Sequence, residues 1–150
     1  MYPADKSLVR VSFRFAAVYS LPKWFKNGVT HKGVDLAPLS LLHDIKVNAP
    51  VEGRVLYAGL QDKADPDVGF GNHVIILRLD KSQYIAELHI LGHLRLGSIE
   101  VKMGQDLEKG ALVGIMGESG YATGVHLHYE VRKLKDRGTF VPINPLPYLT

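Results

Sequence analysis

The sequence contains no cysteine. Thiol catalysis, thiolate metal sites and a disulfide framework are therefore excluded, and no redox compartment can be inferred. It also lacks any apolar run near the ~20 residues that a membrane-spanning helix requires, so no membrane span is expected. Met1 to Arg10 sets charges on both sides of a short apolar stretch and does not read as a signal peptide. Charge of one sign is scarce, since eighteen Lys and Arg face fifteen Asp and Glu for a net +3 with His neutral. That mild, scattered excess contains no basic run of the kind that marks nucleic-acid binding. It would suit an anionic polymer.

What is present fits one ordinary domain over residues 1–150, with 46% of residues hydrophobic and 22% charged. A chain of this size buries roughly 68–70% of its unfolded surface and needs no metal merely to fold. Fifteen Gly, eight Pro and many Val and Ile argue for short strands joined by turns. Val47–Val51 and Gly53–Tyr57 read as two strands around a Pro50–Gly53 turn. Gly71–Leu79 and Tyr84–Leu94 are further strand candidates, and length alone would also allow a helix for the latter. Four glycines weaken any helix in Val101–Gly117, which faintly echoes Val47–Gly59. Val125–Val131 alternates apolar residues with His126, His128 and Glu130, as a two-faced strand does. Gln61–Gly71 and Gly117–Gly124 read as an exposed and a mobile loop. The expectation is a mainly β, antiparallel, single domain.

Seven histidines are the obvious reservoir of metal or acid–base chemistry. His31 and Asp35 flank Gly33; on an extended strand their Cα atoms would stand about 13 Å apart, at the limit of joint reach to one ion. A bend at Gly33 would bring them within range at low steric cost. His126 and His128 would share a strand face about 6.6 Å apart, with Leu127 turned to the core. His93 ends its strand candidate, and His89 shares its face if that strand is unbroken. His43 and His73 have no partner at a telling spacing. Taken jointly, the pattern supplies two His, one carboxylate and a spare His, an inventory for metal-assisted hydrolysis with an open ligand position. The spacing leaves open which of His126 and His128 would bind metal.

The ordered motifs HKGVDLA (31–37), VNAPVEGRVLYAG (47–59), GFGNHVIIL (69–77), ILGHL (90–94), the glycine-rich run 101–120, ATGVHLHYEVR (122–132) and INPLPYL (143–149) resemble one family. It is the lysostaphin/LytM-type zinc endopeptidases, which cut peptides in bacterial cell walls. The resemblance covers residues 30–150 and leaves 1–29 divergent. It implies a compact antiparallel β core of a duplicated hybrid-motif type, with the active-site groove between loops. It implies one Zn2+ per chain on His31, Asp35 and His128, with His93 and His126 as the catalytic pair. It further implies action on peptidoglycan peptides at the cell wall, as a monomer and with no nucleic-acid partner. A source as an endolysin or other antimicrobial lytic protein fits the same picture. Leu91 stands where the family often has Tyr, and Val125 where it often has Pro; both bear on groove shape. Tyr19 is a candidate for the upstream tyrosine that assists the transition state. An inactive activator of other wall enzymes, a phosphoryl-carrier domain and a lipoyl-type carrier are rival classes. The intact ligand set argues against the first, and the absence of a Met-Lys-Met hairpin against the last.

Overall fold

The computed structural model describes residues 1–21, 25–80 and 86–150. Tyr84 and the side chain of Tyr19, both singled out by sequence, lie outside the described residues. Twelve strands follow one another as β1 (Val9–Phe13), β2 (Val18–Leu21), β3 (Phe25–Thr30), β4 (Val34–Pro38), β5 (Lys46–Asn48) and β6 (Gly53–Leu60). Then come β7 (Asn72–Leu79), β8 (Ala86–Leu94), β9 (Asp106–Leu107), β10 (Leu112–Ile115), β11 (Leu127–Leu134) and β12 (Phe140–Ile143). The only described helices are two single 3₁₀ turns, Asp136–Gly138 and Leu146–Tyr148. A mainly β antiparallel domain is what the Gly- and Val-rich sequence called for.

The main sheet runs β1-β4-β11-β8-β7-β6-β9, and β12 also pairs with β11. One edge of β11 serves two neighbours in succession: β4 along Leu127–Tyr129 and β12 along Val131–Leu134. Its other edge carries β8. Alternation along these strands decides what is inside. Leu127, Tyr129 and Val131 join Val34, Leu36, Val74, Ile76 and Leu91 in the buried core, while His128, Glu130 and Asp35 lie on the opposite face by the period of two.

Three expectations are corrected by this topology. Val47–Val51 and Gly53–Tyr57 do not form a hairpin with each other; β5 pairs with β10, and β6 pairs with β7 and β9. The intervening Pro50 lacks an amide donor for a ladder, so the chain leaves one sheet and enters another there. The His strand begins at Leu127, and His126 instead makes an isolated bridge to Gly117. Finally, β8 carries a bulge near its end, where its register with β7 shifts and His93 takes a positive φ. The two long loops are held to each other: the amides of Gly120 and Tyr121 donate to the carbonyls of Pro66 and Gly69, at 2.8 Å each. Their backbones meet so closely that a Cβ on Gly71 would lie 2.4 Å from the Gly120 nitrogen.

Leu91 is fully buried where β7, β8 and β11 lie side by side. Leu91→Ala is expected to cost about 2–5 kcal/mol of unfolding free energy through lost burial and the cavity left behind. Urea denaturation measures it; a loss below about 1 kcal/mol would be too small for a close-packed core leucine.

Candidate metal centre

Three side chains from two strands and the segment before one of them converge on the face opposite the core. The backbone bends at Gly33, just before β4, and this carries His31 back toward Asp35. His31 is anchored there by exchanging backbone hydrogen bonds with Ala16 and Ala17, 2.8 Å each. Asp35 pairs directly with His128 across the β4–β11 ladder. Gly33 has no room for a side chain: a Cβ would sit 2.5 Å from the Tyr129 carbonyl oxygen and 2.8 Å from the His128 ring.

The result is a triangle of ligand atoms. His31 Nε2, Asp35 Oδ1 and His128 Nδ1 each lie 3.0 Å from the other two. His31 Nδ1–H donates to the Arg14 carbonyl at 3.0 Å, so in that tautomer Nε2 turns a lone pair inward. A lone pair on nitrogen then faces a carboxylate oxygen, and the His128 proton alone cannot bridge all three atoms. Such a set fits a divalent cation. Edges of about 3.3 Å would be expected between ligands of a tetrahedral ion with bonds near 2.0–2.1 Å. Among the described residues, His31, Asp35 and His128 are the one group of three or more potential ligands that converges in this way.

Partners behind the ligands complete the arrangement. His128 Nε2–H donates to Glu130 Oε2 at 3.2 Å, and Arg132 Nε donates to Glu130 Oε1 at 2.6 Å. This is a carboxylate–histidine arrangement of the kind that orients metal ligands. Glu130 is 1% exposed. Strand alternation predicts only its place on the polar face; a carboxylate two residues beyond a candidate ligand histidine is the signal in the sequence that points further.

His93 and His126 approach the triangle from the side, with ring centroids 4.7 Å apart. His93 lies 5.8 Å from the His128 ring, and His126 Nε2 lies 3.9 Å from Asp35 Oδ2. In each, Nδ1–H donates to a backbone carbonyl, Ser119 at 2.7 Å for His93 and Gly124 at 2.8 Å for His126. Each Nε2 is thereby left to exchange protons.

His93 reaches the site through a strand irregularity. Asn72 pairs with Leu94 and Val74 with Leu91, so Gly92 and His93 together oppose His73 alone. His93 adopts a positive φ of 63°, uncommon for a residue with a side chain. The extra residue reverses the alternation and turns His93 to the His128 face. His89 stays on the core face, where its Nδ1 bonds the Tyr129 hydroxyl at 2.8 Å. The unbroken strand that would have put His89 and His93 together is therefore not what forms. Ser119, also missed by sequence reading, holds the bulge: its hydroxyl donates to the Leu94 carbonyl and accepts from the Asn72 amide. His73 stacks on Tyr57 at 4.7 Å and bonds the Gly71 carbonyl, away from the triangle's ligand atoms. His43 lines a separate cavity.

Electrostatics follow from burial and pairing. Burial alone would raise the Asp35 pKa, but the hydrogen bond from His128, together with the positive charge of that ring, outweighs it and holds the carboxyl well below its usual range. Burial opposes charge on His128 too, yet hydrogen bonds to Asp35 and Glu130 push it up to about 9. Burial, reinforced by positive charge at His126 and His128, lowers His93 to about 3. His93 is thus neutral near pH 7 and presents a lone pair.

Comparison with known proteins gives a consistent result. The model of peptidase family M23 matches residues 29–145. The chain is 27% identical over 127 residues to the glycyl-glycine endopeptidase ALE-1 of Staphylococcus capitis, covering 82% of this chain and 30% of that protein. It is 32% identical over 100 residues to an uncharacterized metalloprotease of Haemophilus influenzae, covering 67% of this chain and 18% of that one. The chain thus spans less than a third of the length of these curated relatives. Among solved structures, the catalytic domain of the prophage-encoded M23 protein EnpA from Enterococcus faecalis superposes with a TM-score of 0.68 at 27% identity. That match covers 96% of this chain and 94% of the other.

Two outcomes test the geometry. Glu130→Gln is expected to weaken metal binding about 10–100-fold through loss of the charge behind His128. A chromophoric-chelator competition reads this, with circular dichroism as the control for folding; undiminished affinity would remove Glu130 from the site.

The second outcome concerns protons. In the metal-free chain His128 has a folded pKa near 9 against an ordinary 6.5. Its stabilising contribution is therefore complete below pH 6.5 and is lost as pH rises through 9. Asp35 has the opposite sign: its contribution is present above its ordinary 3.8 and lost as pH falls through the lower folded value. Metal uptake at pH 7 must displace the His128 proton. Calorimetry in buffers of different ionisation enthalpy is expected to show release of about one proton, with affinity rising toward pH 9. No proton release would contradict the charged His128.

Proposed function

The chain belongs to peptidase family M23, and we propose that it is a zinc-dependent endopeptidase that hydrolyses peptide bonds of bacterial peptidoglycan. The observation that carries this reading is the 3.0 Å triangle of His31, Asp35 and His128, flanked by two histidines with free Nε2 atoms. Two imidazoles and one carboxylate suit zinc and leave a ligand position open, the pattern of catalytic rather than structural sites. Bound zinc supplies Lewis acidity, lowering the pKa of water and polarising a carbonyl.

The remaining work belongs to the chain. His31 and His128 are held in their ligating orientations by the Arg14 carbonyl and by Glu130. His126 and His93 handle protons. One Nε2 takes the proton of the attacking water, and a protonated imidazole stabilises the oxyanion or returns the proton to the departing amine. No covalent intermediate is needed. The single domain of residues 1–150, acting as a monomer on the cell wall as a lytic or antimicrobial enzyme, is part of the same proposal. It is supported by relatives named as a glycyl-glycine endopeptidase and as a peptidoglycan DD-endopeptidase. The rival reading of an inactive activator is disfavoured because the full set of three ligands is in place.

The test pairs zinc content with new amino termini released from purified walls. His31→Ala, Asp35→Ala and His128→Ala are each expected to lose both zinc and cleavage. His126→Ala and His93→Ala are expected to keep zinc and lose about 10²–10⁴ in rate, the usual cost of removing a positioned proton-transfer group. Retained zinc in all three ligand variants would end the metal assignment; full activity in both others would end the hydrolase reading. Chelation is expected to leave the far-ultraviolet β signal intact, because the core lies on the opposite face of the sheet.

A further inference from the structure

The triangle opens onto a groove of about 300 Å³ whose lining includes His31, His128, Phe70 and Tyr121, together with Lys32 and Arg132. The sign of its charge is lopsided. Glu130 is the one carboxylate among the described lining residues, and it is buried and held between His128 and Arg132. Arg132 is tied to Glu130 through Nε, and no other described residue accepts from its terminal amino groups. The side chain is 31% exposed. Lys32 is exposed and makes no ion pair with any described residue. The neighbouring cavity of about 470 Å³ differs: Asp44, Asp67 and Glu118 line it, and its Arg95 is already engaged by both oxygens of Asp44.

We propose that this groove selects peptides bearing a free carboxylate beside the scissile bond over neutral ones, with Lys32 and Arg132 as the specificity-determining residues. This rests on the endopeptidase reading above. A planar guanidinium with unused donors matches a carboxylate fork, and an ammonium lining the same groove adds a second positive charge. Phe70 and Tyr121 line the same groove and add apolar contact surface for the peptide. An uncharged oligoglycine segment offers these cations only neutral carbonyl acceptors, so it gains less from this half of the groove than a carboxylate does. Lys32 stands next to the ligand His31 in sequence, and Arg132 is linked to the ligand His128 through Glu130. Arg132 is thereby held by the strand that carries His128, and Lys32 leaves the chain beside His31.

The experiment uses the metal-replete full chain and three peptides of equal length. One carries a free side-chain carboxylate next to the scissile bond, the second has that group amidated, and the third is oligoglycine. Cleavage is followed alongside the binding of uncleavable reduced-amide versions. The acid is expected to be cut and bound at least about tenfold better than the amide, the scale of one charge-assisted hydrogen bond. The advantage should shrink as salt rises from about 0.05 to 0.5 M. Lys32→Ala should reduce it and Lys32→Glu should abolish or invert it, with the fold unaffected because the side chain is exposed. Equal treatment of acid and amide overturns this inference while leaving the endopeptidase reading intact. Preferential binding of the acid with no cleavage of any peptide supports the inference and overturns the enzymatic reading. Failure of every peptide both to bind and to be cut overturns both.

Discussion

Everything at the site depends on how β11 is paired. His128 stands opposite Asp35 on one side and opposite Gly92 on the other. A slip of one residue in either ladder would send these side chains to the core face. The buried stripe of Leu127, Tyr129 and Val131 prevents that slip, because a shifted register would expose it and bury the histidine and glutamate in its place. Hydrophobic burial thus fixes the positions of the polar ligands from behind, and the carboxylate–imidazole contacts need only refine them.

The second constraint is steric. Gly33 leaves space for the His128 ring, and Gly92 leaves space beside Phe70 and the His128 Cβ. The bulge at Gly92–His93 costs one ladder position and places a residue at positive φ. It persists because its surroundings bind it at several points: the Phe70 carbonyl accepts from the His93 amide, and Ser119 accepts from the ring and donates to Leu94. Local strain at a site of this kind is sustained by the surrounding hydrogen bonds, and it turns a histidine that would have been core into one that faces the ligands.

Two buried polar assemblies sit on opposite faces of the same strands, and they differ in kind. On the core side, Glu87 accepts from Tyr148 at 2.7 Å and from Arg78 at 2.9 Å, while His89 bonds Tyr129. His89 Nε2 is 3.5 Å from Glu87, too far for a good hydrogen bond. Burial lowers the His89 pKa, so this ring stays neutral and cements the C-terminal segment to the sheet. On the other side, the candidate ligand triangle brings three atoms together with too few protons to share, and among the described residues that is where the geometry fits an ion.

The sequence by itself determined the chemistry available and the local periods. Absence of cysteine left histidine and carboxylate as ligands; His31 and Asp35 around Gly33 required the bend that forms; His128 and Glu130 shared a strand face as their spacing demanded. These are short-range facts, set by the strand period and by glycine's lack of a side chain. Spacing left open which of the paired histidines lies in the triangle; the resemblance implied His128, and tertiary structure supplies the physical reason, because β4 lies beside His128 from 93 residues away in the chain. Tertiary structure alone separated His93 from His89, since the bulge is imposed by β7 and by Ser119 across the loop. It alone gave Glu130, Arg132 and Lys32 a common groove. No local pattern encodes such contacts, because they arise from which strands pair and in what register, and the burial of the whole sheet selects that pairing.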